Sequence, residues 1–147
     1  MMQSKKISLS LCAALLFIAA GCGNKPADTR GTAGTPGTST VKVTDVSLGR
    51  ALAGDKSVSD STDKFRANDT IYASVTTDGS SPSATLRARW TFEDGQTVDE
   101  STRTIAPSNR ERTEFHISKP NGWPAGKYQV QISLNGTPAK SAEFVVK

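Results

Sequence analysis

Residues 86–98 read LRARWTFEDGQTV, and this stretch decides the fold class. Every second residue from Leu86 to Phe92 is apolar, which is the period of a β-strand that buries one face and leaves the other in water. Asp94-Gly95 follows directly and is a dipeptide favoured by two-residue hairpin turns. The stretch therefore predicts an antiparallel hairpin with an apolar face and a polar face.

The same alternation recurs in short runs from Val41 to Lys147, separated by clusters of Gly, Pro, Asn and Asp, and no segment has a sustained helical period. Asn135-Gly136 predicts a second hairpin. The first strand changes parity between Val43 and Val46, which predicts a bulge or an edge strand that changes sheets. With a weak strand at Thr97 to Ile105, the predicted number of strands is seven. The other inward positions are Ile71, Ala73 and Val75; Thr113, Phe115 and Ile117; Tyr128, Val130, Ile132 and Leu134; and Ala142, Phe144 and Val146.

Seven short strands in about 105 residues are typical of an immunoglobulin-like sandwich. The sequence resembles that family at Trp90, on the third strand where such domains bury a tryptophan, and at Tyr128, which opens the sixth strand where they place a corner tyrosine. Val130 stands where antibody-type domains have their second cysteine, so the resemblance is to bacterial immunoglobulin-like or fibronectin type III-like modules. It implies an all-β, seven-stranded antiparallel β-sandwich without a disulfide over residues 41–147, and it specifies no activity.

The first 21 residues are typical of a cleaved signal peptide. Lys5 and Lys6 precede an apolar run from Ile7 to Ala20 that is shorter than the roughly 20 residues needed to span a bilayer. Residues 19–22, AAGC, resemble the lipobox of bacterial lipoproteins, in which the cysteine is lipidated and becomes the new N-terminus. The alternative is an ordinary secretory signal with an incidental cysteine.

The lipobox resemblance implies that Cys22 carries the acyl chains that anchor the protein to a membrane. Two or more chains hold a protein stably, so the expected location is a bacterial cell envelope, with the membrane itself as a partner. In Gram-negative lipoproteins an Asp after the cysteine typically causes retention in the inner membrane. Gly23 stands there instead, so the resemblance favours the outer membrane if the host is Gram-negative.

Residues 22–40 are predicted to form the lipidated cysteine and a tether. Gly, Pro, Thr and Ser occupy 12 of the 18 positions after Cys22, and Ala27 and Ala33 are the only apolar side chains, so the segment cannot build a core. As a flexible coil it spans about 25 Å on average and roughly 60 Å when extended. Either the function needs this reach from the membrane, or any spacer would serve.

Charge and composition exclude several function classes. Without Lys5 and Lys6 the chain has 18 − 2 = 16 basic against 14 acidic residues, and this net charge of +2 is too small to favour nucleic acid as a partner. Cys12 leaves with the signal peptide, so the predicted domain has no free thiol. The single histidine, His116, points outward by its parity and has no second ligand or nucleophile beside it. We therefore predict a protein that is not an enzyme and holds no cofactor.

The connection between Gly49 and Asn68 contains several aspartates, which could supply oxygen ligands to calcium. Their spacing does not follow an EF-hand loop, and nearby basic residues offset the charge, so a solvated loop without metal is the favoured interpretation. These aspartates and the one that follows the connection are Asp55, Asp60, Asp63 and Asp69.

The outward face of the predicted sheet is the candidate binding face. If Leu86 and Trp90 point inward, the arginines between them point outward, and the third strand is a neighbour of the sixth in this fold. Such donors suit carboxylate or sugar hydroxyl ligands, although a solvated sheet face with charge pairs has the same pattern. The candidate residues are Arg87, Arg89, Gln129, Gln131 and Ser133, joined by Arg103 and faced by Asp99 or Glu143.

Trp123 is the second candidate. It lies in a loop between Gly122 and Pro124. It is either an exposed aromatic anchor for a protein or glycan, or a cap over the open end of the sandwich.

Three kinds of function are compatible with these residues. The favoured one is a non-catalytic, lipid-anchored envelope lipoprotein whose domain binds or assembles an envelope protein or polymer. The alternatives are a small cell-wall hydrolase or protease inhibitor, and a spacer without a ligand.

Overall fold

A computed structural model describes residues 38–147, and these residues form two packed β-sheets. The predicted signal peptide, Cys22 and the tether up to residue 37 lie outside the described residues. The three-stranded sheet has the order β1 (Lys42–Gly49), β3 (Ile71–Asp78) and β6 (Glu111–Ile117). The five-stranded sheet has the order β2 (Lys64–Phe65), β8 (Thr137–Val146), β7 (Gly126–Leu134), β4 (Ala84–Phe92) and β5 (Gln96–Ile105).

This architecture confirms the predicted immunoglobulin-like β-sandwich. All seven predicted strands are present, and they pair antiparallel. The structure adds β2, a two-residue strand that pairs parallel with the end of β8. Residues 38–147 contain no cysteine, so no disulfide joins the sheets. Within this range no helix is long and apolar enough to cross a membrane.

Alternating residues of both sheets form the core, as the sequence predicted. Leu86, Ala88 and Trp90 of β4 are fully buried. Phe144 lies at the centre of an aromatic cluster, where Tyr128 stacks on it with ring centroids 5.2 Å apart and Trp90 meets it edge-on at 5.9 Å. Such aromatic pairs add about 0.5–1.5 kcal/mol each beyond the area they bury.

Both predicted hairpins form, but one turn differs from the prediction. Asn135 and Gly136 have positive φ angles of 50° and 83° and directly join Leu134 to its partner Thr137, as a two-residue turn requires. The turn between β4 and β5 has three residues, and its positive φ angles fall on Glu93 and Gly95.

The longer turn has a physical cause in the neighbouring strand. The backbone N–H of Glu93 donates to the carbonyl oxygen of Lys127 at 2.9 Å, and the Lys127 amide donates to the Glu93 carboxylate at 2.9 Å. These two bonds extend the pairing of β4 with β7 by one residue. Glu93 is therefore held to β7 at the point where a two-residue turn would require it to pair with β5.

The parity change in β1 is a bulge. The register of β1 against β3 shifts between Val43 and Asp45, and β1 remains an edge strand of the three-stranded sheet along its length. The bulge alternative is therefore correct for this strand, and a change of sheet is not.

The chain enters the sandwich at one end. Thr40 exchanges hydrogen bonds with Ser80: its amide donates to the Ser80 carbonyl at 2.9 Å, and its hydroxyl accepts from the Ser80 amide at 3.1 Å. We call this the tether end. The opposite, far end contains the β4–β5 turn, the start of β7 and Trp123.

Candidate functional site

The candidate arginines and glutamines lie together on the outward face of the five-stranded sheet. Arg89 is directly opposite Gln131, and Arg87 is directly opposite Ser133, because β4 and β7 are antiparallel neighbours. Gln129 follows two positions along β7 on the same face, opposite Thr91. We call Arg87, Arg89, Gln129 and Gln131 the outer strip.

The two arginines of the outer strip are exposed to solvent, and each has one side-chain partner. The Arg87 guanidinium lies 3.6 Å from the Glu100 carboxylate, and both side chains are nearly half exposed, at 46% and 42%. Arg89 donates through Nε to the Thr97 hydroxyl at 2.8 Å. An exposed pair of this kind contributes about 0–1 kcal/mol to folding, so the guanidinium groups can exchange these partners for a ligand at small cost.

Two of the residues expected beside the strip lie on the other face. Arg103 is directly opposite Leu86, and Asp99 is directly opposite Trp90, so both share the side of the sheet that the core occupies elsewhere. Directly paired residues point to the same face of a sheet. Both stay exposed because they are on β5, at the edge of the sheet. Glu100, which the sequence did not single out, faces the arginines instead.

Glu143 lies where the sequence placed it. It is directly opposite Gln129 on the outward face, across the pairing of β7 with β8. At this position the strip opens into a shallow cavity of about 460 Å³ whose lining includes Thr91, Glu93 and Lys127. The outward face is therefore basic towards the tether end, at Arg87 and Arg89, and richer in carboxylates towards the far end.

Trp123 is buried and caps the far end of the sandwich. Its side chain is 7% exposed, its indole N–H donates to the carbonyl oxygen of Asp69 at 3.2 Å, and it meets Tyr128 edge-on at 6.1 Å. Burial raises the pKa of the Tyr128 hydroxyl, and the nearby Glu93 carboxylate adds to the effect. The structure therefore places Trp123 as a cap of the sandwich and not as an aromatic side chain that projects into solvent.

Three of the four aspartates in and just after the β1–β2 connection form ion pairs with arginines. Asp69 accepts a hydrogen bond from the Arg66 amide at 2.9 Å and an ion pair from Arg50 Nε at 2.8 Å, and together these hold the pKa of Asp69 below its ordinary 3.8. Asp60 lies 3.5 Å from the same guanidinium. Ion pairs therefore account for Asp55, Asp60 and Asp69. Within residues 38–147, no three His, Cys, Asp or Glu side chains are grouped so that they could hold a metal ion.

The same connection folds back over the three-stranded sheet. The Ser74 hydroxyl donates to the Lys56 carbonyl at 2.6 Å, and Leu52 pairs with Val58 within the loop. The Ser57 hydroxyl and amide donate hydrogen bonds to the Asp55 carboxylate, which lowers the pKa of Asp55. The loop therefore covers the outward face of that sheet near Ser74, which is 3% exposed.

His116 lies on the outward face of β6, beside Tyr72 and 3.6 Å from the Glu114 carboxylate, with its side chain 47% exposed. Its exposure fits the predicted solvated strand position.

Comparisons with known proteins give the fold alone. No protein-family model matches the chain, and no curated protein matches it. An alkylpurine DNA glycosylase from Pseudomonas fluorescens matches 74% of the chain with a TM-score of 0.50 and 15% sequence identity. A β-glucosidase from Listeria innocua also matches 74% of the chain, with a TM-score of 0.50 and 11% sequence identity. An immunoglobulin-like protein from Pseudomonas aeruginosa matches 73% of the chain over 96% of its own length, with a TM-score of 0.48 and 13% sequence identity.

The matched regions are small parts of the first two proteins. The chain spans 31% of the glycosylase and 16% of the glucosidase. At these identities the likeness concerns a β-sandwich, and the enzymatic activities belong to the larger proteins.

Proposed function

We propose that this chain is a lipid-anchored, non-catalytic binding or assembly module of a bacterial cell envelope, and that the outer strip is its binding face. The observation that carries the proposal is the placement of Arg89 opposite Gln131 on a face that no other strand of residues 38–147 covers. Within residues 38–147, the loop that covers part of the three-stranded sheet has no counterpart on this face.

The chemistry of the strip favours a ligand that is rich in acceptor oxygens. Arginine offers five N–H donors in a planar fork, and glutamine offers an amide that both donates and accepts. Arg87 and Arg89 each contact one side chain at the surface, Glu100 and Thr97 respectively. Arg50, in contrast, contacts two carboxylates and a backbone carbonyl. Carboxylates of an envelope protein and hydroxyls of an envelope glycan both fit the donors of the strip.

The experiment that tests the binding face is affinity capture from a detergent-solubilised envelope extract. The bait is the mature chain, residues 22–147, with Cys22→Ser to remove the lipid. Arg87→Glu/Arg89→Glu is compared with Lys42→Glu/Arg110→Glu, which makes the same change in charge at exposed positions on the side of the three-stranded sheet. Proteins are identified by mass spectrometry and glycans by sugar analysis.

We expect a partner in stoichiometric amount with the parent and with the Lys42/Arg110 control, and its loss with the Arg87/Arg89 variant. Equal capture by both variants would remove the strip as the binding face. If nothing is enriched over beads without bait, the binding function is wrong and the spacer interpretation takes its place.

The lipid anchor is tested separately. Metabolic labelling with radioactive palmitate and membrane fractionation compare the full chain with Cys22→Ser. We expect label and membrane association for the parent, in the outer membrane of a Gram-negative host, and neither for the variant. A membrane-bound, unlabelled parent would contradict the lipid anchor.

A further inference from the structure

The two sheets of the sandwich are unequal, and the difference exposes one strand on both faces. β1 contacts β8 and β7, which places the three-stranded sheet over β8, β7 and β4. The inward residues of β4 are buried from Ala84 to Trp90 and Phe92 is partly buried, whereas eight of the ten residues of β5 are exposed and the other two are partly buried. The cover over the five-stranded sheet therefore ends between β4 and β5.

The uncovered inner surface of β5 has an ordered chemical pattern. Asp99, Ser101 and Arg103 lie opposite Trp90, Ala88 and Leu86, so they point to the side where the second sheet would continue. Alternate residues of a strand are about 6.6 Å apart, so the carboxylate and the guanidinium are separated by about 13 Å along the strand.

The edge of β6 borders this surface. Among the described strands β6 pairs with β3 alone, so one row of its backbone N–H and C=O groups faces away from the sheet. Such a row is a template for another strand. We call the space beside β6 and over Asp99, Ser101 and Arg103 the side lane.

The side lane ends in a cavity at the far end of the sandwich. The cavity has a volume of about 380 Å³ and lies between the start of β5 and the β6–β7 connection. Val98, Trp123 and Tyr128 line it, together with Lys119, whose Nζ lies 5.8 Å from the centre of the Trp123 ring. Val98 is the one exposed large hydrophobic residue in residues 38–147, at 38%, and it lies where the pairing of β4 with β5 shifts register.

We propose that the side lane binds an extended segment of a partner polypeptide, which adds a fourth strand to the three-stranded sheet next to β6. A β-strand is the occupant whose backbone satisfies a row of alternating donors and acceptors, while its side chains enter pockets on one face. No lipid or glycan offers groups at that repeat.

Charge and cavity together define the segment that fits. An acidic side chain of the partner lies over Arg103, a basic side chain lies over Asp99 four residues away, and an apolar side chain beyond the basic one fills the cavity beside Val98. This site is on the opposite face of the five-stranded sheet from the outer strip, so the two sites are independent.

The test uses a display library of random peptides of about ten residues, the length of a long strand. The bait is the mature chain with Cys22→Ser. Enriched peptides are synthesised, and a copy of each is N-methylated at alternate residues, which removes the backbone donors of one edge and keeps the side chains. Hydrogen exchange of the β6 amides is measured with and without peptide.

We expect peptides whose binding slows amide exchange in β6 and is weakened at least about tenfold by N-methylation. Asp99→Lys/Arg103→Glu, which keeps the net charge, should weaken binding to a similar extent, whereas Arg87→Glu/Arg89→Glu should leave it unchanged. Thermal melting checks that each variant folds. The proposal is overturned if no peptide is enriched, or if the enriched peptides bind the Asp99/Arg103 variant equally well or protect strands other than β6. Neither outcome bears on the outer strip, which has its own variants.

Discussion

The hydroxyl of Tyr128 donates a hydrogen bond of 2.8 Å to the carbonyl oxygen of Pro124, four residues earlier in the chain. The bond ties the start of β7 to the connection that leads into it. This is the corner tyrosine of immunoglobulin-like domains, and the sequence predicted it from the position of Tyr128 at the start of the sixth predicted strand. The same ring stacks on Phe144, so one residue joins the connection to the core.

Tyr128→Phe is expected to lower the free energy of unfolding by about 1–2 kcal/mol, because it removes the donor and leaves the Pro124 carbonyl without this partner. Tyr72→Phe is the matched control, since the Tyr72 hydroxyl has no hydrogen-bond partner within residues 38–147 and its removal should cost little. Urea denaturation measures both variants. Equal midpoints would show that the corner bond contributes nothing to stability.

The far end of the sandwich depends on Asp69, which makes stability sensitive to acid. Its pKa in the folded chain is below its ordinary value of 3.8, so its contribution is complete above that pH and is lost as the pH falls through the folded pKa. Asp69→Asn should therefore lower the melting temperature by roughly 5 °C at neutral pH. The difference from the parent should shrink below about pH 4.

The control for this prediction is Asp78→Asn, at the end of β3, whose carboxylate has no side-chain partner within residues 38–147. Its melting temperature should follow that of the parent at every pH. A constant difference between Asp69→Asn and the parent from pH 7 to pH 3 would contradict the role given to the charge of Asp69.

Gly49 sets how closely the β1–β2 connection approaches the sheet. A Cβ atom at this position would overlap the Asp60 carbonyl oxygen and a methyl group of Val58, so the backbone of the loop would have to move. Gly49→Ala should cost about 1–3 kcal/mol of stability. Gly54→Ala in the same loop meets nothing within 4 Å and should be close to neutral. If chemical denaturation finds both variants equally stable, the loop does not pack as described.

The sequence predicted the features that depend on local pattern. Alternation gave the strands, Asn135-Gly136 gave a turn, and the third and sixth predicted strands proved to be neighbours, which brought Arg89 and Gln131 together. The sequence could not predict on which face of the five-stranded sheet Arg103 lies. β5 is exposed on both faces, and its two apolar residues, Val98 and Ile105, lie seven positions apart, so the strand carries no alternation.

Other features depend on contacts between distant segments. β2 is two residues long and exists because Lys64 and Phe65 meet Val145 and Val146. The burial of Trp123 depends on acceptors from residues 67 and 69, more than fifty residues earlier. No pattern of neighbouring residues signals either contact.

The measurement that tests the binding face most directly is photo-crosslinking in living cells. A benzophenone amino acid replaces Gln131, at the centre of the outer strip, and in a second strain it replaces Asp45, an exposed residue of β1 in the other sheet. Both versions retain the native signal sequence and Cys22. We predict a discrete crosslinked species from position 131 that is absent from position 45 and is lost in the presence of Arg87→Glu/Arg89→Glu. The same species from both positions, or none from position 131, would contradict a binding function for this face.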